Sequence, residues 1–340
     1  MNVTLVDWLG RGGIAQTTET WAVELARRGH GVTVATRGGR ELAPDRADIV
    51  TASTRGGAIA AHARLARAAA AAVRERRPDC VVVQNYVVPP LETPVYDAAR
   101  AAGARLVVVV HDDRLHTRRA GTRVGLRRHL RHADVVVAHT QAVARRVTRD
   151  TGRTVLVLPH PVPVGMVAAR RGETGHPPEG RWAAHFGVLR RGYKGTALVE
   201  TLAGTVPGWA FVVLGVGAPA ARPNLVSVPG FVTAARLVDT VAASDATVLP
   251  YSHATQSGAV VLAQALGSVP VVTAVGGIPE QVTDGHDGLL LPPDAGAEHW
   301  RAALHQLDDA DHRHALARAG TQRVWAQHHE FTRGIEELLA

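Results

Sequence analysis

Of the 38 basic side chains in this 340-residue sequence, 37 are arginine. The exception, Lys194, stands in RRGYKG, between Tyr193 and Gly195 and shortly after Arg190 and Arg191. A compact ammonium with rotatable donors suits phosphate oxygens in a tight, glycine-bounded turn where a broad guanidinium does not fit. Further along comes PYSHATQSGAVVLAQALG, which reads as a strand end, a polar turn and a helix. Thr255, Gln256, Ser257, Gly258 and Ala259 occupy the helix start. Ser257 or Thr255 can cap it, and Gly258 lets an anion approach the backbone closely. In a parallel sheet the two turns open on the same edge. A lysine and two arginines then face an anion on the helix start, which is what a leaving diphosphate needs. An ordinary capped helix beside solvent-facing cations fits the same residues.

Two other stretches could reach a ligand. In LGRGGIAQTTE, Gly12 and Gly13 end a strand and open a helix, so backbone amides there can meet a phosphate or a sugar hydroxyl. The full G-x-G-x-x-G spacing is absent. So is the acid that would read a ribose after the next strand, where ATRGGREL has Arg37 and Arg40. In VTAVGGIPEQ, Gly276 and Gly277 form a turn before a short helix carrying Glu280. That carboxylate either binds sugar hydroxyls or is simply a first-turn acid on a helix.

The elements that must position these residues alternate. NVTLV, GVTVATR, DCVVVQ, RLVVVV and DVVVAHT read as buried parallel strands, separated by alanine-rich and amphipathic helices. TVLVL leads into Pro159, Pro161 and Pro163, a stiff linker. RRGETGHPPEGR is a polar loop. The rhythm then restarts with RWAAHFG, WAFVVLG, ATVLPYS and VPVVTA as strands, and the tail from Ala297 is helical. The expected architecture is α/β, with two facing Rossmann-like domains and a cleft between them. The boundaries are 1–160, 161–325 and a C-terminal helix, 326–340, packing back toward the first domain.

Charge is uneven. Residues 1–150 carry 24 arginines against 14 acids, a net +10; the remainder carries 14 cations against 16 acids, a net −2. The densest run is Arg114 to Asp134. An anionic acceptor, a membrane headgroup surface or a solvated helix face fits it; nucleic acid is not expected, because no aromatic interleaving accompanies the charge. A single cysteine, Cys80, rules out an internal disulfide and a cysteine-based zinc site. The 18 histidines show no tight ligand spacing. With no signal peptide or membrane span visible, a cytoplasmic protein is expected.

The string LPYSHATQSGAVVLAQALGSVPVVTAVGGIPEQVTDGHDGLLLPP closely resembles the donor segment of family 4 glycosyltransferases, retaining enzymes of GT-B architecture. The rest follows in order. GRGGIAQTTETWAVELARRGHGVTVATR resembles their glycine loop, helix and second strand. VVVVHDD is similar to their strand ending in a histidine, and LVLPHPVPV to their linker. HFGVLRRGYKG resembles their FG…R…KG motif, and LVSVPGFV the loop that holds the base. The resemblance implies a nucleotide-diphosphate sugar, a UDP-sugar, as co-substrate and no metal. Lys194 and Arg190 fall on the cationic pair, with Arg191 as the alternative because the turn is one residue longer than usual. His111 falls on the histidine that contacts donor sugar or acceptor, Gly12 and Gly13 on the loop near the diphosphate, and Val232 on backbone contacts to the base. The adjacent acids Asp112 and Asp113 are not read as metal ligands.

One departure stands out. Where many members carry two glutamates separated by seven residues, this sequence has Thr255 and Ala263. It matches a branch with ATQSG in place of the first glutamate and leaves ribose recognition and sugar choice open. The implied activity is transfer of a sugar to a small-molecule, glycan or lipid-linked acceptor, with weak peripheral membrane contact allowed by the basic half. A sugar-nucleotide epimerase and a non-catalytic sugar-nucleotide-binding protein share the architecture.

Overall fold

The computed structural model describes residues 1–37, 47–111, 127, 129–173, 180–189 and 192–340. It divides into two compact units, 1–159 with 330–340, and 160–329.

The first unit is built on β1 (Asn2–Asp7), β2 (Gly31–Arg37), β3 (Ala47–Ala52), β4 (Cys80–Gln84), β5 (Arg105–Val110), β6 (Val135–Ala138) and β7 (Leu156–Val157). They form one sheet in the order 3-2-1-4-5-6-7, every pair parallel. Between them run α1 (Gly12–Arg27), α2 (Ala58–Arg76), α3 (Pro89–Ala102) and α4 (Gln141–Thr151). The valine runs form strands because both faces are covered. Val81, Val83, Leu106 and Val108 enter one apolar layer with α2 and α3, while Cys80, Val82, Val107 and Val109 enter the other with α1. Burial pushes the Cys80 thiol up to about 12, so it behaves as a small apolar core residue.

Local chemistry sets the helix ends. The Thr140 side chain accepts from Val143 N at 3.3 Å and caps α4, and Gly103 and Gly152 close α3 and α4 in the left-handed region. β3 was not legible as a strand: ADIVTA is a half-exposed edge, without the valine run of its neighbours. The TVLVL strand shortens to two residues as the chain enters the prolines.

The second unit starts with α5 (Val164–Ala168). It continues through β8 (Arg181–Phe186), a 3-10 turn at Gly192–Lys194, α6 (Thr196–Thr205), β9 (Trp209–Gly215) and β10 (Leu225–Pro229). Then come α7 (Ala234–Ala243), β11 (Ala246–Leu249), α8 (Gly258–Ala265), β12 (Val269–Thr273), α9 (Ile278–Gln281), β13 (Leu289–Leu291), α10 (Ala297–Gln306) and α11 (Ala310–Leu339). This sheet is also parallel, in the order 10-9-8-11-12-13. Ala183, Phe211 and Val213 face one apolar layer and Trp182, Ala184, Phe186 and Leu214 the other.

Two sequence expectations change here. LVSVP, read as part of a loop, is the edge strand β10, because its backbone pairs with β9 from Leu225 to Pro229. The stretch 326–340 is the end of a 30-residue helix, α11, rather than a helix of its own. The unit division falls inside that helix, after His329. Its last turns complete the first unit's core, with Phe331 meeting Trp21 edge-on at 5.4 Å and Ile335 fully buried.

Both strand orders reverse once, between β1 and β4 in the first unit and between β8 and β11 in the second. Ligands of open α/β sheets bind outside the carboxyl ends of the strands at such a reversal.

Candidate functional site

In the second unit the reversal is flanked by the loops after β8 and β11, which carry Lys194 and the ATQSG segment. His185, next to last in β8, joins them. Its Nδ1 donates to the Val248 carbonyl at 2.8 Å, and its Nε2 accepts from the Thr196 hydroxyl at 3.1 Å. The ring thereby ties the first residue of α6 to β11. Burial, chiefly, pulls its pKa down to about 4, helped by the nearby Lys194 charge. Gly195, at φ +68°, passes so close to Pro250 that a Cβ would overlap the Pro250 carbonyl oxygen. Ser252 N donates to the Tyr193 carbonyl at 3.0 Å. The two loops are therefore fixed to each other through backbone.

Lys194 leans on aromatic rings. Its Nζ lies 4.6 Å from the Tyr251 ring centre and 5.5 Å from that of Tyr193, and donates to the Tyr251 hydroxyl at 3.3 Å. Among the described residues no carboxylate reaches it. The Tyr251 hydroxyl is 3.0 Å from Ser257 Oγ, and that oxygen accepts from Val260 N, capping α8. Gln281 holds the same residue from the other side: Ser257 N donates to its Oε1 at 2.7 Å, and its Nε2 donates to the Ser257 carbonyl at 3.2 Å. An ammonium that meets no carboxylate among the described residues and a rigid, capped helix start thus stand together, the combination that attracts a diphosphate.

Of the other sequence-predicted residues, Gly258 opens α8, with His160 ring atoms 3.5 Å from where its Cβ would be. Thr255, Gln256 and Ala259 are half-buried, Ala259 against the apolar layer. Gly276, at φ +57°, has no room for a side chain, since a Cβ would overlap the Ala254 carbonyl oxygen. It locks the loop after β12 onto the ATQSG segment rather than lending flexibility. Glu280 lies half-buried on α9, but the α9 side chain that grips Ser257 is its neighbour Gln281. Val232 packs partly against the apolar layer, while Phe231 beside it is 82% exposed. Arg190 and Arg191 lie outside the described residues, as do Asp112, Asp113 and most of the basic run beyond them.

In the first unit, Gly12 and Gly13 are exposed at the start of α1. His111 follows β5 directly and is buried. Its Nε2 donates to Gln84 Oε1 at 2.9 Å, and its ring stands 5.0 Å from that of His139. The Gln84 Nε2 is buried without a partner, an unspent donor beside the histidine. Among the described residues no group of three or more His, Cys, Asp or Glu side chains is placed to hold a metal ion, and no helix is long and apolar enough to cross a membrane.

Sequence reasoning missed Tyr251, Gln281 and His185. Tyr251 had a signal, an aromatic closing a strand inside the quoted donor string. Gln281 and His185 had none, because their roles depend on which loops the sheet order makes neighbours.

Comparison with known proteins assigns the halves. Residues 12–163 match the Glycosyl transferase 4-like domain, and residues 193–309 match Glycosyl transferases group 1. Together with the two parallel-sheet domains, these matches make the chain a glycosyltransferase of GT-B architecture. No curated protein matches it in sequence. Solved structures resemble it over its whole length. Sucrose-phosphate synthase from Thermosynechococcus elongatus superposes with a TM-score of 0.79 at 16% identity, covering 99% of this chain and 98% of the other. Anabaena HepE in complex with UDP and glucose gives 0.75 at 17%, covering 100% and 99%. A glycosyltransferase from Rickettsia africae gives 0.74 at 14%, covering 99% and 97%.

Proposed function

We propose that the chain transfers a sugar from a nucleoside-diphosphate donor, a UDP-sugar, to an acceptor hydroxyl, with retention at the anomeric carbon and without a metal. The observation that carries this reading is Lys194: an ammonium that no carboxylate among the described residues reaches, fixed by Tyr251 beside the capped start of α8. HepE, of the same fold, has been crystallised with UDP and with UDP-glucose, which supports the choice of donor.

The donor diphosphate sits on the amides of Gln256 to Ala259, facing Lys194 and either Arg190 or Arg191. The base lies near Val232, and Glu280 or Thr255 meets the sugar. As the bond from the anomeric carbon to the β-phosphate oxygen breaks, its electron pair goes to the phosphate, where fixed positive groups stabilise it. The acceptor hydroxyl attacks from the same face and its proton goes to the departing phosphate oxygen. The first unit, residues 1–159, holds the acceptor, a small molecule, a glycan or a lipid-linked sugar. Gly12 and Gly13 lie near the diphosphate and His111 contacts the sugar or the acceptor. The enzyme works in the cytoplasm, and the basic run admits weak peripheral contact with a membrane.

A thermal-shift screen against nucleoside diphosphates and their sugars identifies the donor. With that donor, Lys194→Ala lowers turnover by ~10²–10³, the loss expected for one transition-state stabilising group. Near wild-type turnover removes Lys194 from the mechanism. UDP release that requires an acceptor separates transfer from epimerisation, and donor binding without release across an acceptor panel points to a binding protein.

A further inference from the structure

The first unit holds a buried relay with no part in the donor site. Glu92, fully buried on α3, accepts from Val87 N at 2.7 Å and Val88 N at 2.6 Å, fixing the loop after β4. The same Oε1 accepts from His62 Nε2 at 3.1 Å. The opposite ring nitrogen, Nδ1, accepts from Arg37 Nη2 at 3.3 Å. Trp8, in the loop after β1, packs on the imidazole at 4.9 Å. The last residue of β2 and the loops after β1 and β4, all at the carboxyl edge of the sheet, are thus linked through one imidazole, with the Arg37 guanidinium at its end.

Three arginines of this unit pair with carboxylates, Arg27 and Arg28 with Glu24 and Arg76 with Asp48. Arg37 does not. Among the described residues no carboxylate lies within ion-pair distance of it, and its Nε is buried without a partner. Burial first, and then the charge of Arg11, pull its pKa down. The facing carboxylate is Asp7, whose Oδ1 already accepts from Leu9 N at 2.9 Å and Gly10 N at 3.1 Å. Burial raises the Asp7 pKa despite those bonds and the attraction of the Arg37 charge. Burying a carboxylate and an imidazole to aim one guanidinium carries a desolvation cost that solvent-facing cations avoid. Arg37 is also one of the arginines that stand where a dinucleotide-binding sheet would carry an acid.

We propose that Arg37, with Arg11 beside it, receives an anionic group on the acceptor, a phosphate or a carboxylate. The planar fork, held at one nitrogen by His62, suits two oxygens of one anion. Calling that ligand the acceptor rests on the transfer reading above; the anion subsite does not.

Inorganic phosphate is the probe, with acetate and chloride at equal ionic strength. Thermal shift follows each anion, and UDP in parallel, on the wild-type chain and on Arg37→Met, Arg37→Lys, Arg11→Met and Lys194→Met, with circular dichroism confirming the fold. Phosphate stabilises the wild-type chain beyond chloride. Arg37→Met weakens phosphate binding by about tenfold or more, the loss of a charge-assisted pair. Arg37→Lys keeps part of the effect and the exposed Arg11→Met loses a smaller factor. Lys194→Met lowers the UDP response and leaves the Arg37-dependent phosphate response in place. Acetate matching phosphate assigns a carboxylate-bearing acceptor, and phosphate alone a phosphorylated one. No anion response in the wild-type chain, or an equal phosphate response in folded Arg37→Met, overturns the subsite. A phosphate response that needs Arg37 in a chain that ignores UDP supports the subsite and counts against the donor reading alone.

Discussion

Lys194 donates to the Tyr251 hydroxyl at 3.3 Å while resting on the face of the same ring. The phenol is an acceptor toward the ammonium, so its own hydrogen is free for Ser257 Oγ, 3.0 Å away. One side chain therefore sets the distance between the cation and the α8 start. Tyr251→Phe keeps the ring and removes both bonds. The expected result is a folded protein whose UDP affinity falls several-fold, about 1–2 kcal/mol for lost charge-assisted and neutral hydrogen bonds. Calorimetric titration of UDP into the two proteins checks it, and equal affinities would show that the phenol only fills space.

Gln281 fixes the other side of Ser257 by a two-way amide pair, donating to its carbonyl and accepting from its N–H. Gln281→Leu leaves that N–H buried and unpaired. It should cost about 1–3 kcal/mol in urea unfolding of the second unit. It should also weaken donor binding, because the α8 start loses its orientation. Gln281→Glu keeps the acceptor but loses the donor, so it should recover part of the stability.

The donor-site glycines divide by their surroundings. Gly195 and Gly276 lie at positive φ, and a Cβ on either would overlap a backbone carbonyl oxygen, of Pro250 and Ala254 respectively. Gly195→Ala and Gly276→Ala should each destabilise by more than the ~1 kcal/mol of a left-handed alanine, because backbone must move. At Gly258 a Cβ would meet only His160 ring atoms, at 3.5 Å. Gly258→Ala should fold normally, with any loss confined to UDP binding. Melting curves with and without UDP separate the two classes.

The double α/β rhythm was legible because Val-rich strands buried on both faces need no partner information to be seen. β3 was not, since an edge strand carries little apolar signal. Lys194 and the ATQSG turn were legible from residue type and glycine spacing. Tyr251 and His185 tie the β8 and β11 segments, far apart in sequence, and Gln281 ties the loop after β12 to the α8 start; such links exist only once the sheet order makes β8, β11 and β12 neighbours. The Arg37–His62–Glu92 relay was hidden for the same reason, joining the end of β2, two helices and the loop after β4.

Three buried histidines give a pH dependence of known sign. Burial pulls the pKa of His129, His160 and His185 from 6.5 to about 4 in each case. Between those values the unfolded chain binds protons that the folded chain does not, so stability rises with pH. The contribution is complete above pH 6.5 and is lost as pH falls toward 4. Each histidine contributes roughly 3 kcal/mol over that range, at about 1.4 kcal/mol for every tenfold change in proton affinity between the folded and unfolded chains. His160 and His185 both belong to the second unit, and His129 to the first. Urea midpoints measured from pH 7.5 to 4.5 should fall steadily below pH 6.5, more steeply for the transition of the second unit. His185→Gln should lower the midpoint at pH 7.5, since it loosens the tie between Val248 and Thr196, yet flatten the slope. An unchanged slope in that variant would show that His185 titrates near its ordinary value in the folded protein.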